Sequence, residues 1–463
     1  MGAWSLLPPL LAIALALLTR QVQLSLFVGV WTGATLLAGG RVFAGLGDAI
    51  ERCVAVFADG GNAKVVLFTM VVGAVIALGR ASGGIGGFVD WVTRSGRVGS
   101  PRRARLLSWI IGVGVFVESS ITVLVNGAVC RPIFERYRLS RAKLAYLCDA
   151  TSAPICLLIP LNAWGAYLTR LLAAEGVADP LEALIASVAY AFYPMLAVAL
   201  ALYVALTGWE VGPMRRAAAR ARDTDEPGPQ LATRLADDTW PAARGRARDF
   251  VVPVAAMVIM MPVGLLITGH GQIFAGSGAT AVLWAVLAAT VVAGLLLWTS
   301  RQASLAELTA TSFRGLGELV PLASLMVLAF AIGQVCRELE TGSYVASLAR
   351  NTIGATFVPA VLFLAGSFIA FSTGTSWGTF ALMVPIAVPL ALHGTEPSVA
   401  LYVGAALSGG VFGDHCSPIS DTTIISSTAS GCDHIEHVVT QLPYVLLAGG
   451  GAVALYLLAG AAS

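Results

Sequence analysis

The stretch Gly413 to His437, GDHCSPISDTTIISSTASGCDHIEH, sets Asp414, His415, Asp421 and a run of hydroxyls inside otherwise apolar sequence, with Pro418 among them. Proline has no amide hydrogen and clashes with the preceding turn, so it frees carbonyls that a straight helix would satisfy. In a bilayer such groups need another partner, which hydroxyls, water or a cation can supply. A second stretch, CDATSAPICLL from Cys148, repeats the theme with Asp149, Thr151, Ser152 and Pro154. Sodium is a hard cation that prefers oxygen. The first break offers Thr151 and Ser152, and the second offers Ser417, Ser420, Asp421, Thr422 and Thr423. A sodium ion is accordingly expected at Ser152, Ser417 and Asp421.

Each residue also has a plainer reading. Serine and threonine in membrane helices commonly bond back to their own helix, and prolines kink many helices without further role. The coincidence of Pro, Asp and hydroxyls, found twice, favours a site. An ionisable group inside a membrane is a functional hypothesis by default, which singles out Asp149 and Asp421. Asp414 either joins them or caps the second half-helix. Glu118 is either a coupling carboxylate or a hairpin-tip acid facing a water vestibule, and His415 is either a proton relay or a bland polar residue. Proton coupling thus falls to Glu118, Asp149, Asp414 or His415. The run Cys432, His434, His437 loosely imitates metal-ligand spacing but reads as a cytoplasmic cap. Trp164 and Trp377 either line the site or pack at hairpin tips.

The elements that must position these residues follow from composition. Of 463 residues, 57% are hydrophobic and 12% charged, against roughly 25% charged in soluble domains. Runs of ~20 apolar residues, the length of a membrane helix, give about ten spans. Two stretches do not fit as simple crossings, 106–130 and 355–392. The first is flanked by Arg94, Arg97, Arg102, Arg103 and Arg105 before it and by Arg131, Arg136, Arg138, Arg141 and Lys143 after it. Short basic loops stay cytoplasmic, so this segment enters and leaves on one face as a re-entrant hairpin. Hairpin tips would add Ser119, Ser120 and Thr122 on one side and Ser372, Thr373, Thr375 and Ser376 on the other. The loop after the second misfit, Ile386 to Ala400, has no Lys or Arg, the opposite bias expected of inverted repeats.

The predicted architecture is an all-α polytopic membrane protein. An N-terminal inverted repeat covers 1–209, with its hairpin at 106–130 and broken helix at 142–170. A cytoplasmic linker covers 210–249, a solvated loop with eight arginines. A C-terminal repeat covers 250–463, with its hairpin at 355–392 and broken helix at 397–428. The start, MGAWSLLPPLLAIALALLTR, lacks a positive n-region, so it reads as a first membrane helix.

A net charge of +2 without a basic-aromatic pattern argues against a nucleic-acid partner. Seven cysteines without a CxxC pair give no disulfide framework. No HExxH or phosphate-binding loop is present, so neither enzyme chemistry nor ATP driving is expected, and no cofactor beyond transported Na+ and H+.

FSTGTSWGTFALMVPIAVPLA and GDHCSPISDTTIISSTASGCDHIEHVVTQLPY, with RPIFERYRLSRAKLAYLCDATSAPI, resemble the NhaC-type sodium/proton antiporter family, within the ion-transporter superfamily of inverted-repeat secondary carriers. The resemblance runs over most of the chain and implies scaffold and transport domains, each repeat giving the latter one hairpin and one broken helix. By position it carries over Asp149, then Thr373, Gly374, Thr375 and Ser376, then Asp414, Ser417, Pro418, Ser420, Asp421 and Thr422. Many relatives have a paired acidic motif in the first hairpin, where this chain reads FVESSIT with Glu118 alone.

The expected function is a secondary active Na+/H+ antiporter, in which sodium and protons compete for a mid-membrane carboxylate and hydroxyl site. The alternative is a Na+- or H+-coupled carrier of a small organic acid or amino acid, held by helix N-termini and glycines. Expected partners are a monovalent cation, a proton and the lipid bilayer, with a homodimer compatible with a separate scaffold domain. The resemblance places the chain in a bacterial inner membrane.

Overall fold

The computed structural model describes residues 2–19, 21–84, 86–88, 91, 99–116, 119–223, 240, 245–272, 276–341, 344, 354–392, 399–418 and 420–462; of Ser120 and Asp421 only the backbone is described. Glu118 and the Asp421 carboxyl, both singled out from the sequence, lie outside this description.

Among the described residues the chain is helical, without strands. The first half contains α1 (Leu7–Thr19), α2 (Val22–Leu37), α3 (Val42–Ala55), α4 (Gly60–Ala81), α5 (Pro101–Gly114), α6 (Ser119–Arg136), α7 (Arg141–Ala150), α8 (Ala153–Leu158), α9 (Ala163–Ala174), α10 (Pro180–Val188) and α11 (Phe192–Thr207). The second contains α12 (Pro213–Asp223), α13 (Arg248–Thr268), α14 (Gly278–Thr299), α15 (Leu305–Glu318), α16 (Val320–Glu338), α17 (Val358–Thr373), α18 (Ser376–Leu392), α19 (Val399–Cys416), α20 (Asp421–Ser430) and α21 (His434–Ala462).

Among the described residues five helices, α4, α13, α14, α16 and α21, are long and apolar enough to cross a membrane. Two bent pairs bring this to seven: α7–α8 with α9, bent by 43°, and α10 with α11, bent by 46°. The ten expected spans exceed this because apolar runs are divided, as between α2 and α3 and, in 397–428, between α19 and α20. Large side chains such as Phe43, Ile259, Phe313 and Leu458 are exposed on the helices, which suits a lipid solvent.

The two misfit stretches are both helix pairs, α5 with α6 and α17 with α18, and each is followed by a helix broken at an Asp-to-Pro segment. Gly374, at a positive φ of 68°, ends α17 and turns the chain into α18. Gly409 and Gly413, four apart on one face of α19, lie against the backbone of α17 around Phe363 and Ser367. This small-residue spacing lets two membrane helices approach closely. Of the linker, Pro213–Asp223 is a helix and not a loop. It is tied down at Glu210, which pairs with buried Lys143 and with Arg222.

Candidate functional site

Both predicted breaks occur and are built alike. In the first, Asp149 lies in the last turn of α7, and its carbonyl accepts from the Ser152 amide at 3.1 Å. In the second, Asp414 lies in the last turn of α19, and its carbonyl accepts from the Ser417 amide at 3.0 Å. Pro154 and Pro418 follow, and the next half-helix starts afresh. Each carboxylate therefore stands at a helix C-terminal end, where the helix dipole carries partial negative charge. An added proton or cation is favoured at such a place.

Asp149 is fully buried, and nitrogen groups dominate its surroundings. Its Oδ2 accepts from Gln441 Nε2 at 3.0 Å and from the Thr423 hydroxyl at 3.3 Å, and His437 Nε2 lies 3.4 Å away. Its Oδ1 accepts no hydrogen bond among the described residues and faces His415 Nε2 at 3.8 Å. His415 is pinned on both sides. Its Nε2 lies 3.0 Å from the Asp149 carbonyl, which can only accept, so this nitrogen carries a hydrogen. Its Nδ1, 2.8 Å from the Tyr193 hydroxyl, then accepts in the neutral ring.

Asp414 is surrounded by oxygen. Its Oδ2 accepts from Ser376 Oγ at 3.0 Å and from Thr422 Oγ1 at 3.4 Å. Ser376 also reaches the Gly410 carbonyl at 3.2 Å, and Ser420 Oγ lies 3.0 Å from Thr422 Oγ1. Ser420 caps α20 by accepting from the Thr423 amide. Two adjacent residues in the first turn of α20 thus touch different carboxylates, Thr422 reaching Asp414 and Thr423 reaching Asp149.

Of the predicted residues, Asp149, Ser376, Asp414, His415, Ser420 and Thr422 are brought together. Thr151 and Thr373 bond back to their own helices, at Leu147 and Ile369, and Ser152 Oγ bonds the Asp149 carbonyl at 2.8 Å. Ser417 is buried in the second break. Thr375 lines a neighbouring cavity of ≈ 510 Å3 together with Trp377, Ile424, Thr428 and, on the facing helices, Phe68, Arg80 and Glu318. Trp164 packs on Trp377 at 5.4 Å between ring centres.

Sequence reading missed His437, Gln441 and Tyr193. It read His437 as part of a cytoplasmic cap, whereas the ring is fully buried on Asp149. His434 Nε2 lies 2.6 Å from the Pro418 carbonyl. The available signal was the spacing of His437 and Gln441, four apart and therefore on one helix face of a long apolar helix.

An uncharacterised protein of Haemophilus influenzae is 32% identical over 466 residues, 96% of this chain and 88% of that protein. The malate-2H(+)/Na(+)-lactate antiporter of Bacillus subtilis is 41% identical over 76 residues, 16% of each chain. In fold, the chain is similar to the YdaH transporter of Alcanivorax borkumensis, with a TM-score of 0.58 at 14% identity over 89% of this chain and 88% of that one. Residues 173–461, more than half of the chain and including Asp414, His437 and Gln441, match the Na+/H+ antiporter family, and the chain belongs to that family.

Proposed function

We propose that the protein is a secondary antiporter exchanging sodium for protons across a bacterial inner membrane, with α5–α6 and α17–α18 as its re-entrant hairpins. The reading rests on one observation. Two buried carboxylates close two broken half-helices, and adjacent threonines of α20 join them. Their surroundings divide the work. Sodium, as cargo, suits the oxygen groups of Asp414, Ser376, Ser420 and Thr422, since hard cations take oxygen ligands. The proton suits Asp149, ringed by His415, His437 and Gln441. A carboxylate that gains or loses a proton changes the charge facing the first turn of α20, and that turn also contacts the sodium half.

Purified protein in sealed liposomes with an internal pH-sensitive dye tests this reading. Sodium added outside is expected to move protons, and Asp149→Asn to abolish the movement. Silence of the parent with sodium, lithium and potassium would refute it.

The cavity beside Thr375 and Trp377 favours a second reading, a cation-coupled carrier of a small organic or amino acid. Its ≈ 510 Å3 far exceeds what a bare monovalent ion fills. Proton movement that appears only when an organic solute is supplied would select this reading.

A further inference from the structure

His437 differs from every other group around Asp149. Gln441 Nε2 and His415 Nε2 can only donate, the first because it is an amide nitrogen and the second because the Asp149 carbonyl fixes its hydrogen. Both are also committed elsewhere, Gln441 to the His415 carbonyl at 2.8 Å and His415 to Tyr193. Thr423 stands at 3.3 Å on α20. His437, by contrast, is fully buried and neither ring nitrogen has a hydrogen-bond partner among the described residues. A buried polar group without a partner is costly, so a ring kept in that state calls for an explanation.

The geometry points to His437 as a neutral donor–acceptor switch that lets Asp149 hold a proton in one step and release it in the next. When Asp149 is ionised, the ring carries its hydrogen on Nε2 and donates to Oδ2. When Asp149 is protonated, the ring carries its hydrogen on Nδ1, and Nε2 accepts from the carboxylic acid. An arriving proton binds Nδ1 while the Nε2 hydrogen passes to Oδ2, and release reverses both shifts, so the ring is neutral before and after each step. A ring pinned on both sides, as His415 is, cannot do this. The inference deepens the exchange reading by naming the residue that makes the proton half reversible.

The titratable groups facing His437 are Asp149 from α7 and His415 from α19, with Tyr193 of α11 behind the latter. Helix α20 presents Thr423, and α21 itself presents Gln441. Arg220 of α12 pairs with Glu436 at the outer end of α21. Among the described residues the groups within ion-pair distance of Asp149 are the two histidines.

The test follows the proton itself. The infrared C=O stretch of a protonated carboxyl that disappears in Asp149→Asn belongs to Asp149, and its growth with falling pH is recorded on purified protein in liposomes. Nitrogen-15 NMR of protein labelled at histidine, with the His437 signals identified by their loss in His437→Leu, is expected to find the hydrogen on Nε2 while Asp149 is ionised and on Nδ1 once the Asp149 band has grown. His437→Gln, whose amide can turn to donate or accept, is expected to keep the Asp149 band and its pH dependence. Three results overturn the proposal: no Asp149 band in the parent, a ring that keeps its hydrogen on one nitrogen while the band grows, or a doubly protonated ring, which would make it a charge carrier. Thermal melting of both variants shows whether they are folded. A band that responds as expected in a protein that moves no protons with sodium would sink the exchange reading and leave this one standing.

Discussion

Replacing Gly413 by alanine should weaken sodium dependence through the packing of two helices. A Cβ at this position would lie 2.0 Å from the Ser367 carbonyl oxygen, 2.7 Å from the Phe371 amide nitrogen and 2.8 Å from Ala370 Cβ. The two nearest are backbone atoms, so no flexible side chain can yield. A relaxed carbon-to-oxygen contact is about 3.3 Å, and α17 must therefore retreat from α19 by about 1 Å or more. The far end of α17 turns through Gly374 into Ser376, whose hydroxyl sits 3.0 Å from Asp414, the residue next to Gly413. A retreat of that size carries the contact past the ~3.5 Å reach of a hydrogen bond. Overpacking costs about 1–3 kcal/mol of stability. Displacing one oxygen from the sodium half, at about 1.4–2.8 kcal/mol, raises half-saturating sodium by about tenfold to a hundredfold. Sodium titration of proton movement in liposomes, with thermal melting in detergent, measures both. Gly409→Ala meets a similar obstacle one turn away, 2.2 Å from the Phe363 carbonyl, and should destabilise with a smaller effect on sodium. Ser376→Ala should weaken sodium without the packing loss. A Gly413→Ala protein that melts lower yet keeps the parent's half-saturating sodium would refute the reasoning.

Asp414→Asn should raise half-saturating sodium by at least about tenfold while the Asp149 infrared band keeps its pH dependence; equal damage to both would deny the division of the site. Thr423→Val removes one hydroxyl donor from Asp149 and should make that carboxyl easier to protonate, read as earlier growth of the same band on acidification. Asp59 caps α4 by accepting from the Asn62 amide at 2.8 Å and pairs with Arg170 at 2.6 Å, so Asp59→Ala should cost about 1 kcal/mol in melting experiments. Partial burial pushes the Asp59 carboxyl up, but the backbone amides and Arg170 outweigh it and hold it below the usual range. The folded state thus favours its ionised form, and this contribution is present above the unfolded carboxyl's range and lost as pH falls through the folded value. The melting difference between parent and Asp59→Ala should shrink on acidification.

How much could be read beforehand divides along contact range. Proline, aspartate and serine within six residues of one another marked both breaks, because a helix interruption is a local event. The pairing of Asp149, Ser152 and Pro154 with Asp414, Ser417 and Pro418 reappears as two equivalent amide-to-carbonyl bonds. The hydroxyls were harder. Thr151 and Ser376 look alike in sequence, yet one bonds back to its own helix and the other reaches Asp414 from a hairpin 38 residues away. His437 was misplaced because its neighbours Cys432, Asp433 and Glu436 are polar. Only the turn of α21 sends residue 437 inward while Glu436 meets Arg220 outside.

The distance along the chain between Asp149 and its partners bears on how the protein is made. Gln441 lies 292 residues downstream, and at ~5–20 residues per second a nascent chain carries the carboxyl unaccompanied for on the order of 15–60 s. A lone aspartate at mid-membrane costs about 2.5–3.5 kcal/mol to insert, so α7 should leave the insertion machinery late, or with Asp149 protonated. Docking of α21 is then the assembly event that admits the ionised form, and a chain interrupted before His437 would present the membrane's quality control with a helix it has reason to reject.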